Sequence, residues 1–174
     1  MEETAFQIHS NYDHKALKTM SRVLRKTVRR KRSMVIRAVV WLLAVLYAFL
    51  LVLLVLSGGF PNVLEILVEL IFLAELLFED DLNAWIAARN LLPGTKEADT
   101  RFGPSEYVVT TQATETRMRY ENIGVVGETK DSFVFVIGKR HCQLFPKSGL
   151  QSGTPDEFRA FIEEKTGLTA RYAN

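Results

Sequence analysis

AVVWLLAVLYAFLLVLLVL, running from Ala38 to Leu56, is the stretch on which the reading of this 174-residue chain turns. No charged residue occurs between Arg37 and Glu65. Taken back through Met34, Val35 and Ile36, the run reaches the ~20 apolar residues that cross a hydrocarbon core of ~30 Å. A soluble protein hides such a helix only inside a large core, which a chain of this length cannot supply. A cleaved signal peptide fits worse. The charged region ahead of the run is too long, the apolar core is about twice the usual length, and no small-residue cleavage site follows. The run reads as a transmembrane helix.

Working outward, Ser57-Gly58-Gly59-Phe60-Pro61-Asn62 is turn chemistry, with a proline suited to starting a helix. The next run, Val63 to Phe78, is apolar except for Glu65, Glu69 and Glu75. At 100° per residue these glutamates share one face, opposite Leu, Ile and Phe. An ionised carboxylate at mid-membrane costs ~2.5–3.5 kcal/mol. To span, that face needs a helix partner or protonated carboxyls; the alternative is a helix lying along the bilayer surface. We read a transmembrane hairpin over residues 34–79, with helices at 34–56 and 60–79 and a turn at 57–59. Reflection about the turn brings Glu79 near Arg37, Glu75 near Trp41 and Glu69 near Tyr47. It predicts an Arg37–Glu79 or Arg37–Glu75 pair, since unsatisfied polar groups are costly there.

The formal net charge of +2 hides a segregation. Residues 1–37 carry ten basic and three acidic side chains, residues 38–97 two and seven, and residues 98–174 ten of each. Arg22, Arg25, Lys26, Arg29, Arg30, Lys31, Arg32 and Arg37 precede the first span with no acidic residue among them. Positive-inside bias keeps this flank in the cytoplasm, and a hairpin returns the C-terminal part to the same side. The expected location is the cytoplasmic membrane, multi-pass, with both termini cytoplasmic. The same cations suit anionic headgroups of the bilayer. No groove-reading or aromatic pattern accompanies them, so nucleic acid is not expected as a partner.

Residues 1–33 read as a short strand (Glu3 to His9) and a basic amphipathic helix. In that helix Leu17, Met20, Leu24 and Val28 recur at helical spacing and lead into the first span. Residues 80–94 form a juxtamembrane helix and linker, where Leu82, Trp85, Ile86 and Arg89 repeat the pattern. The two extensions can pack as an antiparallel pair, with Trp85 in the contact or at headgroup level and Glu79-Asp80-Asp81 facing the basic arm.

Leu92-Pro93-Gly94-Thr95-Lys96 breaks the helix pattern, and residues 95–174 switch to period two. Strands are expected at 100–102, 107–112, 115–120, 122–129, 133–137 and 141–145, with a turn at Gly138-Lys139-Arg140. The final helix is the best marked. Thr154 is an N-cap, Pro155 takes the first position, Glu157 completes a capping box, and Gly167 is placed to stop it. Phe158, Phe161 and Ile162 form its buried stripe. This is a small α+β domain with one sheet face and one helix to cover it.

The pieces Tyr120-Glu121-Asn122-Ile123, Glu128 to Phe133 with Asp131 at its turn, Phe145-Pro146-Lys147 and Thr154 to Phe161 together resemble the C-terminal domain of YcxB-like proteins. These are small membrane proteins of the bacterial inner membrane. Their layout is a strand, a basic helix, two hydrophobic segments, then a β-rich domain with a closing helix. The resemblance implies a bent antiparallel sheet capped by that helix, like pleckstrin-homology folds. It supplies no catalytic set to carry over. The chain departs from the family in its three glutamates, where the second hydrophobic run is expected to be more apolar.

Chemistry-bearing motifs are sparse. His141 and Cys142 are neighbours on a strand and point to opposite faces, so they do not form a nucleophile–base pair. Cys142 reads as a small buried residue. Lys147 reads as a structural or solvated lysine, with an anion-binding lysine as the alternative, and Glu128 as a turn-stabilising acceptor. No phosphate loop, paired-carboxylate site or metal spacing is present. The expected function is non-enzymatic, needing no cofactor or metal: an integral membrane protein presenting a cytosolic interaction or regulatory module to a protein partner or a second copy. The alternative is a subunit of a larger membrane assembly that uses the acidic face of the second helix.

Overall fold

The first strand finds its neighbour across the whole helical region. In the computed structural model, which describes residues 4–138 and 141–173, β1 (Phe6–Asn11) pairs antiparallel with β2 (Glu97–Phe102), Phe6 opposite Phe102 and Asn11 opposite Glu97. β3 (Glu106–Thr111) and β4 (Glu115–Arg119) extend this antiparallel sheet in the order β1-β2-β3-β4. Glu3 and the Lys139-Arg140 turn lie outside the described residues. The sequence shows a strand at the start of the chain but not its partner, because pairing between distant segments leaves no local signature.

The second sheet contains β5 (Ile123–Glu128), β6 (Ser132–Ile137), β7 (His141–Pro146) and the two-residue β8 (Arg171–Tyr172), in the order β7-β6-β5-β8. Its pairs are antiparallel except that β8 runs parallel to β5. The two sheets and α4 (Pro155–Thr166) enclose Phe102, Tyr107, Phe133, Phe135, Phe145 and Phe158, all essentially inaccessible. Phe158 meets Phe102 at 4.9 Å and Phe133 at 5.2 Å, both edge to face. Each such burial is worth ~1.5–3 kcal/mol by area, with ~0.5–1.5 kcal/mol more per favourable ring pair.

α4 begins as its sequence predicts. Glu157 N–H donates to Thr154 Oγ1 at 3.3 Å, and Thr154 N–H donates to Glu157 Oε2 at 2.7 Å. Gly167 ends it at φ +66°, a left-handed position that glycine occupies without a Cβ penalty.

One expectation needs correcting. The second sheet is buried on both faces, and two helices cover it. Along β6, Phe133 and Phe135 enter the aromatic core, while Val134 and Val136 pack with Ala16, Val23 and Leu24 of α1 (His14–Lys26). The unbroken apolar run Phe133 to Val136 already carried that signal, since a strand with only one covered face alternates. Contact is close at Gly127, where an added Cβ would sit 2.6 Å from Val23 Cγ1.

α1 does not run into the apolar helix. It ends at Lys26, and α2 (Arg30–Leu56) follows after a short turn. α2 is long and apolar enough to cross a membrane. α3 (Val63–Arg89) packs beside it, with Tyr47 and Phe72 rings 6.4 Å apart. Each has 27 residues, about 40 Å of helix. Asn62, not Pro61, starts α3, through a reciprocal capping box with Glu65. α3 is kinked at Phe78 (φ −116°, ψ 19°), where two helical segments join just before Glu79-Asp80-Asp81.

Candidate functional site

The basic arm and the acidic trio meet as a ladder. Arg25 grips Asp80 with two bonds, Nε to Oδ1 at 2.9 Å and Nη2 to Oδ2 at 2.6 Å. That grip raises the Arg25 pKa above its ordinary value. Lys18 reaches Asp81 at 2.7 Å, Arg22 lies 3.5 Å from Asp80, and Arg37 lies 3.2 Å from Glu79. Ser33 Oγ donates to Glu79 as well. The Arg37–Glu79 pair is the one the hairpin reflection selects; no Arg37–Glu75 pair forms among the described residues.

α1 therefore has two working faces, apolar toward the second sheet and cationic toward α3. Leu17 and Leu24 are buried as expected, whereas Val28 falls in the turn and is exposed. On α3, Leu82, Trp85 and Ile86 are about half exposed, and Ala84 is the fully buried residue. The Arg89 guanidinium stacks on the half-exposed Trp85 ring at 3.7 Å. A small residue allows close approach, and the spacing of large apolar residues does not point to it.

The ladder takes up four of the ten basic residues that precede Ala38. Lys26, Arg29, Arg30, Lys31 and Arg32 have no carboxylate within ion-pair distance among the described residues. They gather at the elbow between α1 and α2. A groove of about 450 Å³ opens there, lined by Arg25, Lys26, Arg30, Ser33, Arg37 and Tyr172 beside Met34.

The three glutamates within the apolar run Val63 to Phe78 have separate fates. Glu65 belongs to the capping box, Glu75 is exposed, and Glu69 is half-buried with Oε2 shielded and unbonded.

In the β-rich domain the recognised motif residues hold the fold. Ile123, Phe133 and Phe158 are core, and Phe161 packs on Phe6 at 5.2 Å. Tyr120 is buried, and its hydroxyl donates to Gly103 O at 2.7 Å. Pro146 closes β7 opposite Ser132, and Asp131 O accepts from Lys147 N at 2.9 Å. Glu128, buried on β5, accepts from Lys147 Nζ at 2.6 Å and from Arg159 Nε and Nη2 at 2.7 and 2.6 Å. Arg159, then Lys147, hold its carboxyl below the ordinary value of 4.5. Glu128 thus ties β5 to α4 and to the segment after β7, which corrects its reading as a turn acceptor. Lys147 is occupied by this partner. Arg159 was not singled out from sequence, although it follows Phe158 on the same helix.

Cys142 packs against the α1-covered face, and burial pushes its thiol up to about 12. A groove of about 600 Å³ runs between α1 and the β5–β6 turn, rimmed by Lys15, Lys18, Lys130 and Asp131.

Residues 102–162 match the family model described as YcxB-like protein, a stretch that includes the pieces from Tyr120 to Phe161 that carry the resemblance. The β-rich unit thus contains a YcxB-like domain, and the match covers about a third of the chain. No curated protein and no solved structure matches it. The match begins at the last residue of β2, so β1 and most of β2, which complete the first sheet, precede it.

Proposed function

We propose that this is a non-enzymatic integral membrane protein whose α2–α3 hairpin crosses the bilayer twice and holds a cytosolic interaction module against the inner surface. One observation carries the reading: β1 and β2, on either side of the helical region, are neighbours in one sheet. Strands that pair lie on the same side of a membrane, so the chain between them crosses an even number of times. Among the described residues α2 alone is long and apolar enough to span, and in this reading α3 is the return. The basic arm sets that side as cytoplasmic. The sandwich closed by α4 is read as pleckstrin-homology-like, a scaffold whose edge β4 and α1-side groove stay open to a protein partner.

The test is affinity capture from native membranes with the full chain and with a chain ending at Leu92. Partners lost on truncation support the module; partners kept by the hairpin alone overturn it. Glu69 supports the second reading, a subunit of a larger assembly, because its shielded Oε2 lacks a bond. Under that reading Glu69→Leu dissociates an oligomer on a detergent gel.

A further inference from the structure

We propose that the groove at the α1–α2 elbow binds the phosphodiester headgroup of an anionic phospholipid. The inference rests on the membrane insertion proposed above and adds a specific ligand to it.

The argument starts from how the basic residues divide. Lys18, Arg22, Arg25 and Arg37 each have a carboxylate of Glu79, Asp80 or Asp81 within 4 Å. These four fasten α1 and α2 to α3. Lys26 and Arg30 line the same groove and have no carboxylate partner among the described residues. The carboxylates beside the groove are already engaged, Asp80 by Arg25 and Glu79 by Arg25, Arg37 and Ser33. The groove therefore presents uncompensated positive charge.

Position selects the anion. Arg30 is the first residue of the apolar helix, and Met34 and Val35, one turn on, are exposed. With α2 in the bilayer, Lys26 and Arg30 sit at the depth of the lipid phosphates, and the acyl chains continue along the apolar surface that follows. A volume of about 450 Å³ accommodates a headgroup. Arg supplies forked donors for phosphate oxygens and Lys a point charge. Basic pockets beside spanning helices on the cytoplasmic side are suited to such headgroups.

Tyr172 of β8 lines the groove from the β-rich domain. A bound lipid thus touches both the hairpin and the domain, and orients the sandwich against the membrane as well as holding it there.

The experiment is native mass spectrometry of the full-length protein in detergent micelles, titrated separately with dioleoylphosphatidylglycerol, dioleoylphosphatidylcholine and inorganic phosphate. The expected result is one retained phosphatidylglycerol, favoured about tenfold over phosphatidylcholine, with inorganic phosphate unable to displace it. Lys26→Gln/Arg30→Gln abolishes the preference, and Lys26→Arg/Arg30→Lys keeps it. Lys31→Gln/Arg32→Gln removes the same charge outside the groove and leaves the preference intact. Equal loss in the two neutralising pairs means diffuse attraction and overturns the site, as does equal retention of the two lipids. Displacement by inorganic phosphate assigns the groove to a free anion and overturns the lipid. Extraction of the protein from membranes as a soluble species would instead overturn the membrane reading, a result distinct from all of these.

Discussion

In the β-rich unit six aromatic side chains vanish from solvent, whereas α2, with 27 residues of mostly Leu, Val and Ala, buries Ala44 alone. Phe158 and Phe135 are fully covered by protein, while Leu56 is 77% and Phe60 90% exposed. The same residue types follow opposite rules in the two regions. In the sandwich they leave water for each other. In the hairpin most of them stay exposed, the surface that the proposed bilayer would cover, and the helices are fastened to α1 by charge at one end.

The contrast predicts a graded response to substitution. Phe158→Ala removes the ring that meets Phe102 and Phe133, and is expected to cost about 3–5 kcal/mol. Leu53→Ala on the hairpin surface is expected to stay within about 0.5 kcal/mol, because lipid is as apolar as the lost side chain. Denaturant unfolding of the β-rich unit in detergent, followed by near-ultraviolet circular dichroism, reads both. Equal losses would erase the distinction.

Glu128→Gln leaves Lys147 and Arg159 facing a neutral group, at an expected cost of about 2–4 kcal/mol at pH 7. The sign with pH follows from the lowered folded pKa. The wild type holds the full contribution above the ordinary carboxylate value of 4.5 and loses it as pH falls through the lower folded value. The variant has nothing there to lose, so its acid limb is flatter. An acid limb that runs parallel to the wild type's would show that the ion knot carries no linkage.

A smaller effect tests the seat of α1. Gly127→Ala places a methyl group against Val23, for an expected loss of about 1–3 kcal/mol. In a Val23→Ala background the same change costs less, which a double-mutant cycle measures. Additivity would place α1 elsewhere. Arg37→Gln is expected to cost only about 0.2–1 kcal/mol, because the pair is partly exposed and Glu79 keeps Arg25.

Much of this architecture was legible because its signals are local. Thr154, Pro155, Glu157 and Gly167 each speak about their own turn of chain, and α4 starts and stops where they place it. The apolar run marked α2, and charge alone indicated that Glu79-Asp80-Asp81 would meet the basic arm. What escaped depends on distant residues meeting. The β1–β2 pairing, α1 lying on β6 and the Glu128–Lys147–Arg159 knot join segments whose sequences do not refer to one another. Ala84 escaped because large apolar residues suggest a contact, while here a small one makes the buried position.

The most direct measurement of the central claim is thiol labelling of intact cells with a membrane-impermeant reagent, on a Cys142→Ser background. Ser57→Cys reports the hairpin tip and Ser152→Cys the β-rich domain. Two crossings predict that the tip labels without permeabilisation and the domain only after it. Labelling of both positions, or of the domain alone, in intact cells would contradict a hairpin solvated by the bilayer with its folded unit on the inner side.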